Sequence, residues 1–278
     1  ANTSFVNRIV DEKEPIEDIV ADPIAEVQGL DSIPHPRIYL PAQLFGAERR
    51  NSDGINLADR TIAAELIANM RKAMAANYAV VPIVAGQRRS GAVVDSVSPH
   101  DQRVVVGTVA FADAALTTEA IDIASTHWRS WDLTPAAARA DCLGKAADLF
   151  EANTAELLAL CVREAGKSIP DAIAELREAV DFLRYYAAEA RARFAAPIGL
   201  PGPTGESNLF GLRGRGVFVC VSPWNFPLAI FTGQVAAALA AGNAAIAKPA
   251  EQTSIVASRA VELMLDLFQS SAPAYLVH

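Results

Sequence analysis

Between positions 59 and 77 the apolar residues Ile62, Leu66, Met70 and Met74 recur at a spacing of four, which predicts a helix with one apolar face. The two methionines lie on that face and read as core. Residues 1–56 show no such period. A charged run, Asp11-Glu12-Lys13-Glu14-Pro15, and prolines at 23, 34, 36 and 41 leave little room for helix, so this stretch reads as a linker or an extended wrap. Two β-branched runs, 93–97 and 104–109, flank Pro99-His100-Asp101-Gln102 and predict a hairpin. Helices follow. One opens at Thr134 (N-cap) and Pro135 (first helical position) and runs to about Phe150; another ends near Glu164 with Gly166 as its stop. A third spans 170–194 and carries Ile173, Leu176, Val180, Leu183 and Tyr186 on one side. Residues 200–206 read as a loop.

After that loop the period changes. Val217–Val221 is a continuous apolar run, as in a strand buried on both faces. An alanine-rich helix over 228–241 ends at Gly242, a second short strand covers 244–247, and a second helix covers 254–268 with Thr253 as its cap. Strand, helix, strand, helix in this rhythm predicts an α/β fold with parallel strands.

Ligands of such sheets sit beyond the carboxyl ends of the strands. Two segments fall there, Ser222-Pro-Trp-Asn-Phe-Pro227 and Lys248-Pro-Ala-Glu251, and the topology places them side by side on one edge. The first has two readings on spacing alone. Its prolines end the strand and open the helix while its aromatics pack; or Asn225, held between Pro223 and Pro227, offers its amide to a developing oxyanion. Lys248 and Glu251, three apart at a helix start, share one helix face, either as a surface ion pair or as a pair facing a ligand. No GxGxxG follows the first strand, so a standard dinucleotide fingerprint is absent.

Composition narrows the classes. A net charge of -8, with Gln87-Arg88-Arg89 as the nearest approach to a basic cluster and read as a solvated turn, argues against a nucleic-acid partner. Three separated cysteines, Cys142, Cys161 and Cys220, suit a reducing cytoplasm rather than a disulfide framework. All three lie in predicted core elements and read as inert. The four histidines form no HxxxH pair, so no metal site is expected. No signal peptide opens the sequence and no apolar stretch is long enough for a membrane span.

The run from Gly216 to Leu228 (GVFVCVSPWNFPL), the run ALAAGNAAIAKPAE ending at Glu251, and Glu164-Ala-Gly-Lys-Ser168 together resemble the aldehyde dehydrogenase superfamily over roughly two thirds of the chain. Residues 1–9 (ANTSFVNRI) and Lys248-Pro-Ala-Glu-Gln-Thr253 further resemble the bifunctional proline utilization A enzymes, in which a proline dehydrogenase barrel precedes an L-glutamate γ-semialdehyde (1-pyrroline-5-carboxylate) dehydrogenase module. The resemblance implies a partial aldehyde dehydrogenase fold: N-terminal helices and a hairpin, then the start of a parallel Rossmann-like sheet. It implies the end of the barrel region and a linker over 1–56, the NAD-binding part of the dehydrogenase domain over 57–268, and an unassigned tail over 269–278. It implies Asn225 as the oxyanion donor, and Val221, Ser222, Pro223, Trp224, Lys248, Pro249 and Glu251 as cofactor contacts. NAD is the expected cofactor, and FAD belongs only to a proline dehydrogenase domain that these residues do not carry. A small aldehyde substrate and a homo-oligomeric, cytoplasmic parent enzyme are expected. The family's nucleophilic cysteine and general-base glutamate fall downstream of the Lys-Pro segment, beyond residue 278, so a fragment inactive by itself is expected. The alternative is a non-catalytic cofactor-binding or assembly piece.

Overall fold

The computed structural model describes residues 8–33, 37–268 and, as backbone, 274–276. Residues 1–7, which carry most of the barrel-end resemblance, lie outside it, as does most of the expected tail. The chain divides into two compact units, Ala1–Leu40 and Pro41–His278. Segment 41–56 is drawn into the second unit because Ser52 donates to Asp181 through both its backbone N–H (2.7 Å) and its hydroxyl (2.9 Å).

Among its described residues the first unit holds α1 (Ile16–Ile19) and α2 (Pro23–Gln28), short helices where the prolines left little room for any. Pro23 takes the first position of α2, where its missing N–H costs nothing, and Asp22 caps it by accepting from Ile24 N at 3.0 Å.

The second unit begins with α3 (Arg60–Met74), capped by Asp59, with Leu66 and Met70 buried as the periodicity predicts. Three short strands absent from the sequence reading come next: β1 (Tyr78–Val80), β2 (Ile83–Val84) and β3 (Gln87–Arg88). β2 and β3 pair across Ala85 and Gly86, both at positive φ (53° and 74°). Gln87 and Arg88 therefore form a hairpin arm rather than a turn, solvent-exposed as expected, and the arginines are paired, Arg88 with Glu262 and Arg89 with Glu119. The predicted hairpin forms as β4 (Ala92–Ser98) and β5 (Asp101–Phe111), with a tighter turn than expected.

The helical layer is α4 (Ala114–Leu133), α5 (Ala136–Ala152), α6 (Thr154–Arg163) and α7 (Ile169–Phe194). α4 had no counterpart in the sequence reading. Thr134 closes α4 rather than opening α5, its hydroxyl donating to Ser130 O at 3.1 Å, and Pro135 takes the N-cap place without a side-chain cap. Residues 200–206, read as a loop, connect β6 (Ile198–Leu200) to β7 (Asn208–Phe210).

Then come β8 (Val217–Val221), α8 (Ala229–Ala240), β9 (Ala244–Lys248) and α9 (Ser254–Phe268). β8 and β9 run parallel, as predicted. Within the expected tail, β10 (Ala274–Leu276) adds parallel to β9 and antiparallel to β2, giving a sheet ordered β3-β2-β10-β9-β8. This corrects the expected burial of β8. It ends the sheet, and only Cys220 of its five residues is buried, while β9 is buried along Ala244–Ala247. An apolar run reports that a strand suits a packed sheet, not that both of its faces are covered here.

Candidate active site

The carboxyl ends of β8 and β9 meet at residues 221 and 248. Val221 pairs with Lys248 in the parallel register, and Ser222 N donates to Lys248 O at 3.1 Å, so the two suspected segments leave the sheet next to each other. Ser222 is buried, and its hydroxyl donates to Gln234 Oε1 of α8 at 3.1 Å. Gln234 in turn donates through Nε2 to Val221 O at 3.2 Å, clamping the strand end against the helix. The sequence reading passed over Gln234, a polar residue within an alanine-rich helix.

Beyond Ser222 the segment opens to solvent. Val221 is 60% and Trp224 61% exposed. Asn225 is exposed too, and its carboxamide has no hydrogen-bond partner among the described residues. Pro223 is half-buried and Pro227 buried, so the turn is anchored at its ends and free at its middle.

On the neighbouring segment Pro249 and Ala250 are buried, whereas Lys248 and Glu251 face outward. The two do not share the face of a helix. Lys248 is the last residue of β9 and Glu251 opens a 3-10 turn, Glu251–Thr253, ahead of α9. No ion pair joins them. The Lys248 ammonium donates to Pro249 O at 2.9 Å, and Gln252 donates to the Glu251 carboxylate at 2.9 Å. Lys248 keeps two further N–H donors for a ligand, and the Glu251 carboxylate keeps acceptor capacity.

The caps of the two helices come from another part of the chain. Thr253, expected to cap α9, has a buried hydroxyl with no partner. Glu164 caps α9 instead: its carboxylate accepts from Ile255 N and Val256 N, both at 2.8 Å, and from the Ser96 hydroxyl of the hairpin at 3.1 Å. Burial raises the Glu164 carboxyl to about 7, against the opposing pull of those hydrogen bonds. Glu175 of α7 caps α8 in the same manner, accepting from Leu228 N (2.7 Å) and Ala229 N (3.2 Å). Glu164-Ala-Gly-Lys-Ser168, read only as part of a resemblance, therefore has a local role beside the site.

None of the cysteines stands at this edge with thiolate character. Burial pushes the Cys220 thiol up to about 11, and it raises those of Cys161 and Cys142 as well. Among the described residues no group of histidines, cysteines and carboxylates could hold a metal ion, and no helix is long and apolar enough to cross a membrane.

Comparison with known proteins gives concordant matches. The sequence profile of the aldehyde dehydrogenase family matches residues 86–274, reaching into the stretch that the sequence reading had left unassigned. The bifunctional protein PutA of Escherichia coli (strain K12) is 41% identical over 272 residues, which is 96% of this chain and 20% of that protein. A 1-pyrroline-5-carboxylate dehydrogenase of Anoxybacillus flavithermus is 40% identical over 171 residues, 61% of this chain and 33% of that protein. A crystal structure of bifunctional proline utilization A superposes on all of this chain and 25% of its own with a TM-score of 0.73 at 40% identity. A 1-pyrroline-5-carboxylate dehydrogenase from Thermus with bound NAD superposes on 82% of this chain and 45% of its own, with a TM-score of 0.76 at 30% identity. The chain spans about a fifth of the length of the PutA relatives it matches.

Proposed function

Because the chain belongs to the aldehyde dehydrogenase family, we propose that it forms the NAD-binding part of an enzyme that oxidises L-glutamate γ-semialdehyde to L-glutamate. The observation that carries this reading is the open edge where Val221 and Lys248 pair, with Asn225 unpartnered beyond it. The names of the relatives support the choice of aldehyde, since both PutA and 1-pyrroline-5-carboxylate dehydrogenases align along the chain.

The edge fits a dinucleotide. The exposed surfaces of Val221 and Trp224 offer apolar area to rings, and Lys248 and Glu251 stand beside them with hydrogen-bonding capacity to spare for a ribose. Ser222, Pro223 and Pro249 shape the backbone that carries those groups. NAD, when bound, would supply the acceptor for the hydride lost from the aldehyde carbon. Asn225 donates its amide to the carbonyl oxygen as that oxygen gains charge. The attacking thiolate comes from none of this chain's cysteines, because burial raises all three thiols and Cys220, the one next to the edge, lies inside β8 with its side chain buried. The chain alone therefore binds cofactor without turning over substrate.

Cofactor choice tests the reading at Glu251. A ribose with free 2′ and 3′ hydroxyls donates to the Glu251 carboxylate, whereas a 2′-phosphate brings negative charge against it. Lys248 offsets part of that repulsion, so NAD should be preferred over NADP by roughly 10- to 100-fold. Glu251→Gln is expected to narrow the gap by improving NADP affinity. Dissociation constants for both cofactors on the chain and the variant check this; an unchanged ratio would show that Glu251 does not face the ribose.

A further inference from the structure

Lys167 and Glu175 lie outside the cofactor edge, yet both end on the Asn225 turn. Glu175 has a fully buried side chain, and its Oε1 accepts from the first two amides of α8, Leu228 N and Ala229 N. α8 has no side-chain cap of its own, since Leu228 occupies the N-cap place. The other carboxylate oxygen, Oε2, meets the Lys167 ammonium at 2.7 Å in a charge contact rather than an aligned hydrogen bond. That ammonium, on a side chain only 13% exposed, also sits 4.3 Å from the centroid of the Phe226 ring. Phe226 is the residue after Asn225.

A buried ion pair between helices is often packing alone, and replacing one with apolar residues costs little in many proteins. Here α7 and α8 already have apolar contact lower down, where a Cβ on Gly233 would come within 3.0 Å of the Phe182 ring. The ion pair is placed instead where the chain passes from turn to helix. It fixes two amides after Asn225 and one ring beside it, while Ser222 fixes the chain before it through Lys248 O and Gln234. Asn225 itself has no partner to hold it, so its aim depends on these flanking anchors.

We propose that Lys167 and Glu175 are positioning residues that aim the Asn225 amide, acting as one unit through the turn between Phe226 and Ala229. The proposal rests on Asn225 as the oxyanion donor. Glu175 supplies the acceptor that pins the helix start. Lys167 supplies the countercharge that the buried carboxylate meets, and holds the aromatic neighbour of Asn225 by a cation–π contact.

The test is amide hydrogen exchange and NMR relaxation on the whole chain, with NAD titration run in parallel. Glu175→Ala should lower the protection of the Leu228 and Ala229 amides by about tenfold or more. Lys167→Met, which keeps an apolar stem and removes the charge, should lower the order parameters of the Asn225 backbone and side-chain amides, and Lys167→Arg should restore them. If Lys167→Met fails to fold, Glu175→Gln gives the same comparison, since it keeps an acceptor oxygen and loses the ion pair. Asn225 amides as ordered in these variants as in the parent, with only global stability changed, would overturn the proposal. The NAD arm reports separately. Disordered Asn225 amides in variants of a chain that never binds NAD would uphold the positioning role and remove the cofactor reading. NAD binding with Asn225 unmoved by the substitutions would do the reverse.

Discussion

Asn225→Ala, in a full-length enzyme that contains this chain, is expected to lower kcat by roughly 10²- to 10³-fold, the usual effect of removing one oxyanion donor. NAD affinity should change by less than about threefold, because the amide meets the substrate oxygen only as charge develops on it. The expectation rests on where the residue stands. Its carboxamide is exposed and unpartnered, so no structural hydrogen bond is lost with it. The chain on either side is anchored at Ser222 and at Leu228, so alanine should leave the turn in place. In the same enzyme, Cys142, Cys161 and Cys220 should each accept serine without loss of the covalent step. A kcat within about threefold of the parent for Asn225→Ala would return the Pro-Trp-Asn-Phe-Pro turn to a purely structural role.

The second large effect is on stability and its dependence on pH, through Glu164. Its carboxyl is raised from 4.5 to about 7 by burial. A group whose pKa is higher folded than unfolded binds more protons in the folded state between the two values. Its contribution is therefore complete below pH 4.5 and is lost as pH rises through about 7. The size is on the order of 3 kcal/mol. The protonated form is accommodated because the Ser96 hydroxyl, a donor to the carboxylate, can turn and accept. Glu164→Gln removes the ionisation and keeps a carbonyl acceptor at the start of α9, so its urea midpoint should fall less between pH 5 and pH 8 than that of the parent. Glu164→Ala leaves the Ile255 and Val256 amides buried without a partner and should cost roughly 3 kcal/mol or more at pH 5, and less at pH 8, where the buried charge already weakens the parent. Parallel pH profiles for the parent and Glu164→Gln would contradict the assignment of the buried charge.

Much of the frame could be read from residue pattern, for identifiable reasons. α3 shows itself through four apolar residues at helical spacing, and β9 through a short apolar run that follows Gly242, the stop of the preceding helix, whose φ of 85° suits glycine. The meeting of the two segments at Val221 and Lys248 follows from parallel topology, and the structure bears it out. α4 escaped notice because two of its four buried positions are Ala120 and Ala124, too small to stand out against an alanine-rich background. β1, β2 and β3 escaped because two or three residues cannot establish a period. Burial of β8 was misjudged because it depends on neighbours, which the strand's own residues do not specify. The caps were the least legible part. Glu164 and Glu175 look like solvated helix residues in the sequence, and their amide partners lie 91 and 53 positions away. Lys248 and Glu251 were assigned to one helix because three-residue spacing suggests it; the 3-10 turn at Glu251 breaks that inference.

The most direct test of the central claim, that the β8–β9 edge is a cofactor platform, is a titration of the folded chain with NAD followed by tryptophan fluorescence. Trp224 stands exposed on that edge, and Trp224→Phe separates its signal from those of Trp128 and Trp131. The account predicts a saturable change that disappears in Trp224→Phe and shifts to weaker binding by about tenfold in Lys248→Met, the loss of one charged hydrogen bond. A chain with intact circular dichroism that shows no saturable response at millimolar NAD, or one whose affinity is untouched by Lys248→Met, would contradict it.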